Sequence, residues 1–250
     1  ADLQDHFSVR CNFRCTRPIT LNDIANSLWR RVVAGAQYVL FRGGPLASSG
    51  IAAGGYVRSD GKLEQPDIQF TCCAFSYAGR DSKGAHPHPF SGFSVGAVHV
   101  SPEARGTVRI RSANPLAPPA IAFNFLRTAD DLRITMAGVR WVRRIAQQPA
   151  LAPYVAGEIF PGPAVNTDAE FEDAIRNNGV SGQHAVGTCR MGTDEHAVVD
   201  PRLRVRGVRH LRVVDASIMP SVTAGNTNAP TIMIAEKGAA MILEDARENT

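Results

Sequence analysis

The chain has 250 residues, of which 44% are hydrophobic and 20% charged, with a formal net charge of +4, which is enough apolar material to bury a core as one large or two smaller globular domains. Its basic residues are interspersed with acids and never form a run of five, which argues against nucleic-acid binding, and no stretch approaches eighteen apolar residues, which argues against a membrane span. The opening residues lack a basic-then-apolar leader and the five cysteines show no metal-type spacing, so the expectation is a cytoplasmic protein with reduced thiols and no metal centre.

In chain order, residues 21–41 (LNDIANSLWRRVVAGAQYVLF) place apolar side chains at helical intervals. Asn22 or Asp23 serves as cap, and Gly43-Gly44-Pro45 ends the helix. Its only basic residues are Arg30, Arg31 and Arg42, so core packing is preferred to a membrane-surface role. Residues 66–75, 93–101 and 106–111 alternate apolar and polar positions and predict short strands, with a turn at Asn114-Pro115. Strands without intervening helices imply a mostly antiparallel sheet. Residues 79–90 (GRDSKGAHPHPF) read as a solvated loop; His86 and His88 lie one residue apart, but no carboxylate or third histidine completes a metal set. His99 fits either a cavity wall or a satisfied sheet histidine, and the latter is preferred.

Residues 129–147 form an amphipathic helix capped by Thr128 or Asp130, with Arg140, Arg143 and Arg144 on a solvated face. A shorter helix covers 168–177, capped by Thr167 and stopped by Gly179. Beyond it His184 stands in a polar turn before Gly187-Thr188, where an imidazole can take a proton near neutral pH. Residues 208–214 (VRHLRVV) predict a strand that delivers Asp215 at its carboxyl end. Asn226-Thr227-Asn228-Ala229-Pro230-Thr231 predicts a helix start, with Asn228 as N-cap, Pro230 in the first turn and the helix over 231–245. A base, an acid and a helix N-terminus thus recur within about sixty residues, each where the chain turns and presents groups to a ligand. Cys189 reads as a small packed residue in a turn in preference to a reactive thiol.

Three ordered blocks, HAVGTCRMG at 184–192, DPRLRVRGVRHLRVVDASIMP at 200–220 and NTNAPTIMIAEKGA at 226–239, resemble the C-terminal signature of the glucose–methanol–choline (GMC) family of flavin-dependent oxidoreductases. The opening ADLQDH resembles that family's NLQDH element, and the 21–41 helix with GPLASSG at 44–50 matches its substrate domain. Ala185 departs from the proline usual after the first histidine. None of the 22 glycines falls in a Gly-x-Gly-x-x-Gly dinucleotide turn, so the chain resembles the C-terminal half of such an enzyme.

The resemblance implies an α/β (α+β) fold: a mostly antiparallel substrate-domain sheet with flanking helices, plus the C-terminal strand and helix of an FAD-binding domain. It assigns 1–16 to an FAD-domain segment, 17–183 to the substrate domain and 184–250 to a C-terminal FAD-domain segment, with the N-terminal Rossmann half supplied as a separate or cleaved chain. It implies FAD as cofactor and a small, primary alcohol as substrate, with His184 as the base that removes the hydroxyl proton and Asn226 as the second catalytic group. Asp215, Ala216, Asn228, Ala229 and Thr231 would approach the cofactor. A hydroxynitrile lyase and a non-catalytic flavoprotein subunit are the alternatives the family offers.

Overall fold

A computed structural model describes residues 1–81 and 84–248; Ser82 and Lys83, inside the predicted 79–90 loop, and Asn249 and Thr250, at the end of the predicted C-terminal segment, lie outside the described residues. Its elements in order are β1 (Phe7–Cys15), α1 (Leu21–Ala25), α2 (Leu28–Phe41), β2 (Ile51–Val57), β3 (Ile68–Cys73), β4 (Tyr77–Asp81), β5 (Gly84–Pro87) and β6 (Gly92–His99). There follow β7 (Thr107–Arg109), β8 (Ala120–Ala122), α3 (Ala129–Ala146), β9 (Val155–Phe160), α4 (Asp168–Asn178), β10 (Val180–Ser181) and α5 (Asn228–Glu248). The chain divides into two compact units: Ala1–Phe7, His99–Leu132 and Ser181–Thr250 in the first, Ser8–Val98 and Arg133–Val180 in the second. These boundaries differ from the expected 1–16, 17–183 and 184–250, because most of β1 belongs to a sheet with β6 while residues 99–132 join the terminal segments.

The second unit is built on a sheet of order β10-β1-β6-β3-β2, with β9 also pairing β1. β9 runs antiparallel to β1, Asn12 opposite Phe160 and Phe13 opposite Glu158, and β2 runs antiparallel to β3. β1 buries alternate residues, as its FSVRCNFRC pattern requires. β6 does not: almost every residue is buried, so this central strand is covered on both faces and its predicted alternation is not expressed in burial. In α3, Val139 and Val142 are fully buried and Gly138 permits close approach, since a Cβ there would stand 3.0 Å from the Ala97 methyl group.

Several elements differ from those the sequence predicts. The 21–41 helix breaks in two, because Ser27 caps a second helix by accepting from the Arg30 N–H, and Thr20, not Asn22 or Asp23, caps the first. Asn22 is instead fully buried, its carboxamide donating to the Ser76 and His88 carbonyls and accepting from the Ser76 N–H. The predicted 79–90 loop holds most of an antiparallel hairpin of β4 and β5, in which Arg80 faces Ala85. His88 is buried, 3.0 Å from the Ser76 hydroxyl and stacked on Phe90. Arg143 does not belong to a solvated face: its guanidinium grips the Glu158 carboxylate and donates to the Val165 and Gly162 carbonyls. The caps of the other two helices follow the sequence, with Asp131 N–H donating to Thr128 and a Thr167–Glu170 capping box opening α4.

In the first unit, a core of Val186, Val199, Leu203, Ile218, Met219, Val222 and Ile234 underlies α5. Residues 208–214 are not a regular strand; Gly207 and His210 take positive φ, and the segment folds back so that Val205 N–H donates to Leu211 and Val213 N–H to Leu203. α5 starts at Asn228, three residues before the predicted position, so Thr227 and not Asn228 occupies the cap position, its carbonyl accepting from the Thr231 N–H and hydroxyl. His99, at the end of β6, is 4% exposed, and its Nδ1 lies 3.5 Å from a carboxylate oxygen of Asp131. At the other end of α5, Arg204, Arg202 and Arg212 converge on Asp245 and hold its carboxyl down at about 2 from the ordinary 3.8.

Two outcomes follow for stability. Gly106 exchanges backbone hydrogen bonds with Leu3, and a methyl group on it would overlap the Ala122 carbonyl and lie 2.8 Å from the Phe123 Cα. Gly106→Ala is expected to lower unfolding free energy by about 1–3 kcal/mol in urea titrations, the usual range for overpacking. Because the Asp245 carboxyl is depressed in the folded state, its contribution is present above pH 3.8 and lost as pH falls toward about 2. Thermal melts of Asp245→Asn should therefore lose part of the pH dependence that the native chain shows across that window.

Candidate active site

His184 lies on a turn whose backbone is fixed by a distant part of the chain. Gln4 exchanges N–H···O=C bonds with Val186 at 3.0 and 2.8 Å, and the Gly182 N–H donates to the His6 carbonyl at 2.7 Å. Asp5, buried, accepts the His184 backbone N–H on one carboxylate oxygen at 2.8 Å and the Ser181 hydroxyl on the other. Gly182 allows this approach, since a Cβ there would stand 2.8 Å from that of His6. Gly187, at φ +89°, closes the turn where a side chain would overlap the Asp2 carbonyl.

The half-buried His184 ring meets partners on both nitrogens. Nδ1 lies 2.9 Å from Nδ1 of His6, the rings edge-to-face at 86°, and Nε2 lies 3.3 Å from Nδ2 of Asn226. His6 is fully buried, and its other nitrogen donates to the Val100 carbonyl at 3.1 Å. Burial foremost holds its pKa below the ordinary histidine value, helped by His184 and opposed by the Val100 hydrogen bond and by Asp5. A neutral imidazole on an open edge, beside a carboxamide, can accept a proton from a bound hydroxyl group while the amide donates to the oxygen left behind.

The expected site residues fall into two groups. His184 and Asn226 are brought within hydrogen-bond distance of each other although 42 residues separate them. Asp215 opens a 3₁₀ turn over Ala216–Ile218 and spends one carboxylate oxygen on the Ser217 N–H, so its acid is engaged locally. That turn is tied to the histidine segment by Cys189 N–H donating to Ser217 and Met191 N–H to Ile218. α5 packs against it, with Gly238 accommodating the Val214 side chain. Asn228, Ala229 and Thr231 lie in the first turn of α5; the Asn228 and Ala229 amides have no carbonyl one turn back within the helix, whereas the Thr231 N–H already donates to Thr227, and the helix end carries about half a positive charge. Among the described residues, no group of three His, Cys, Asp or Glu side chains has metal-site geometry.

Sequence reasoning assigned no role to His6 or Asp5. The alternating pattern around them marks only a strand start, and nothing local shows that they meet residues 178 and 179 positions away. The signal available was the ADLQDH element itself, two ionisable residues side by side at the edge of an apolar run.

Residues 102–235, more than half of the chain, match the family model described as GMC oxidoreductase. The oxygen-dependent choline dehydrogenase of Pseudomonas syringae pv. syringae (strain B728a) is 42% identical over 238 residues, covering 94% of this chain and 41% of the relative. The chain therefore spans about two fifths of the length of the curated relatives it matches. Pyridoxine 4-oxidase from Mesorbium loti superposes with a TM-score of 0.77 at 28% identity, over 96% of this chain and 42% of that one. A variant of Aspergillus oryzae RIB40 formate oxidase shares the fold, with a TM-score of 0.88 at 22% identity over 99% of this chain and 47% of that one. With the family model covering the turn that carries His184, the 3₁₀ turn and the opening of α5, the chain belongs to the GMC oxidoreductase family.

Proposed function

We propose that this chain is the C-terminal, catalytic part of an FAD-dependent enzyme that oxidises a primary alcohol to an aldehyde. The observation that carries the reading is the convergence of His184 Nε2 and the Asn226 carboxamide, 3.3 Å apart on an accessible edge. When bound, FAD supplies the hydride acceptor that alcohol oxidation requires. His184 takes the hydroxyl proton on Nε2, and the Asn226 N–H donates to the oxygen on which charge develops. His184 is suited to this because its backbone is fixed by Asp5 and its ring by His6, so little reorientation accompanies proton transfer.

The residues present fit a flavin. The first turn of α5 offers the amide donors of Asn228 and Ala229, with Thr231 beside them, and a dipole worth about 0.3–1 kcal/mol toward an electron-rich group, up to about 2 when partly buried. Ala216 would present backbone to the cofactor, and Asp215, its carboxylate engaged by Ser217, would meet it through main chain more than through charge. The segments around these residues would serve as the flavin-domain part, and the sheet of β1, β6, β3 and β2 as the substrate-domain part. A complementary N-terminal half, in a separate, cleaved or continuous polypeptide, would complete the flavin pocket. Supporting that partner, α5 leaves Ile232 and Met233 at 55% and 59% exposure, apolar surface of the kind that interfaces cover.

Two substitutions in the full-length, flavin-loaded protein test the reading. Choline heads a panel of primary alcohols, since it is named for relatives about 42% identical. Anaerobic mixing should bleach the flavin absorption with at least one of them. His184→Ala is expected to bind flavin with an unchanged resting spectrum but to bleach about 10²–10⁴ times more slowly, the usual contribution of a general base. Asn226→Ala should slow bleaching about 10²–10³-fold, as for loss of one oxyanion donor. A His184→Ala protein that bleaches at the native rate rejects the assignment.

A further inference from the structure

His6 is a buried ionisable group that exchanges no proton in the proposed reaction, and its hydrogen bonds are directional. The Val100 carbonyl can only accept, so His6 Nε2, 3.1 Å away, carries hydrogen. In a neutral His6 the lone pair is then on Nδ1, which faces Nδ1 of His184 at 2.9 Å, so the hydrogen between the two rings belongs to His184. The opposite edge leads to the same conclusion independently. Asn226 presents its NH₂ to His184 Nε2, and a donor facing that nitrogen requires a lone pair there.

We propose that His6 is a positioning residue that sets the tautomer of His184, keeping hydrogen on Nδ1 and a bare lone pair on Nε2. This rests on the reading of His184 as the base and identifies what makes it one. The competing arrangement, a cationic His6 donating to His184 Nδ1, places a charge at a fully buried position. The charged and titratable groups facing His6 are His184 and Asp5, with the backbone of Val100 and Thr223. The Val100 and Thr223 backbone and Asp5 favour the cation, the two Asp5 oxygens being committed to the His184 N–H and the Ser181 hydroxyl, but burial, helped by His184, outweighs them. In the reaction the substrate O–H bond breaks and an Nε2–H bond forms on His184. No proton passes to His6, whose Nδ1 accepts the same hydrogen before and after and holds the imidazolium more firmly than the neutral ring.

The test uses the full-length flavin-loaded protein labelled with ¹⁵N-histidine, at a pH above the titration of His184. The His184 pair, identified by its disappearance in His184→Ala, should show a protonated Nδ1 and an unprotonated Nε2; a protonated Nε2 overturns the proposal. In His6→Ala the neutral ring should redistribute toward Nε2–H. The same variant should lose about 10- to 100-fold in kcat/KM, the usual effect of removing an orienting partner. The acid limb of its pH profile should shift to lower pH, because an acceptor that favoured the cation is gone. His6→Asn, whose carboxamide oxygen takes the place of Nδ1, should restore the Nδ1–H form. Unaltered nitrogen shifts and an unaltered pH profile in His6→Ala overturn the proposal as well. If instead His184→Ala proves active, the base assignment fails while the nitrogen assignments still decide the tautomer, so the two readings fail separately.

Discussion

Asp5 is 3% exposed and divides its carboxylate between the backbone N–H of His184 and the hydroxyl of Ser181, and the geometry of the histidine turn depends on that division. A buried carboxylate is tolerated only where hydrogen bonds replace its water, and here both donors come from the segment it has to hold. The backbone completes the constraint, since Gln4 and Val186 exchange hydrogen bonds and Gly182 donates to His6. Three consecutive residues, Gln4–His6, therefore dictate where residues 181–186 run. His184 inherits its position from them and not from a regular element of its own.

Beyond this seam, the first unit is assembled by close approaches that small residues permit. Gly182 lies against His6, Gly187 against Asp2 and Gly238 against Val214, and at each a Cβ would meet an atom that is already there. The turn after Asp215 is bonded to the histidine segment through Cys189 and Met191, and α5 packs on the same turn. His184, Asn226 and the helix opening thus share one rigid support, which is what a site needs when tenths of an ångström matter.

Much of this was legible in the sequence wherever the information is local. Thr167 with Glu170, and Thr128 before an acidic first turn, are capping signals that act over three residues, and both helices begin where those residues place them. Alternation located β3, β6 and β7, while β2, with Gly54 and Gly55 inside it, carries no such signal and went unread. The 21–41 helix was read through its break because Asn26 and Ser27 interrupt an apolar rhythm that resumes in phase, and periodicity is insensitive to a single cap. Residues 208–214 alternate like a strand but turn back at Gly207 and His210, a choice made by left-handed backbone that pattern counting does not register. In the site, His184 and Asn226 stood out through their blocks. The roles of Asp5, His6 and Val100 depend on pairings between residues 94 to 179 positions apart, which no window on the chain reveals.

Those separations carry a kinetic meaning. Contacts that close loops of such length form after local helices and hairpins, because their entropy cost is met only once much of the intervening chain is organised. The imidazole pair is therefore expected to form late, after local structure. Recovery of a correctly hydrogen-bonded His184 during refolding would report closure of the first unit's long loops and lag behind the return of helical signal, making this short seam of side chains a built-in indicator that this unit has closed.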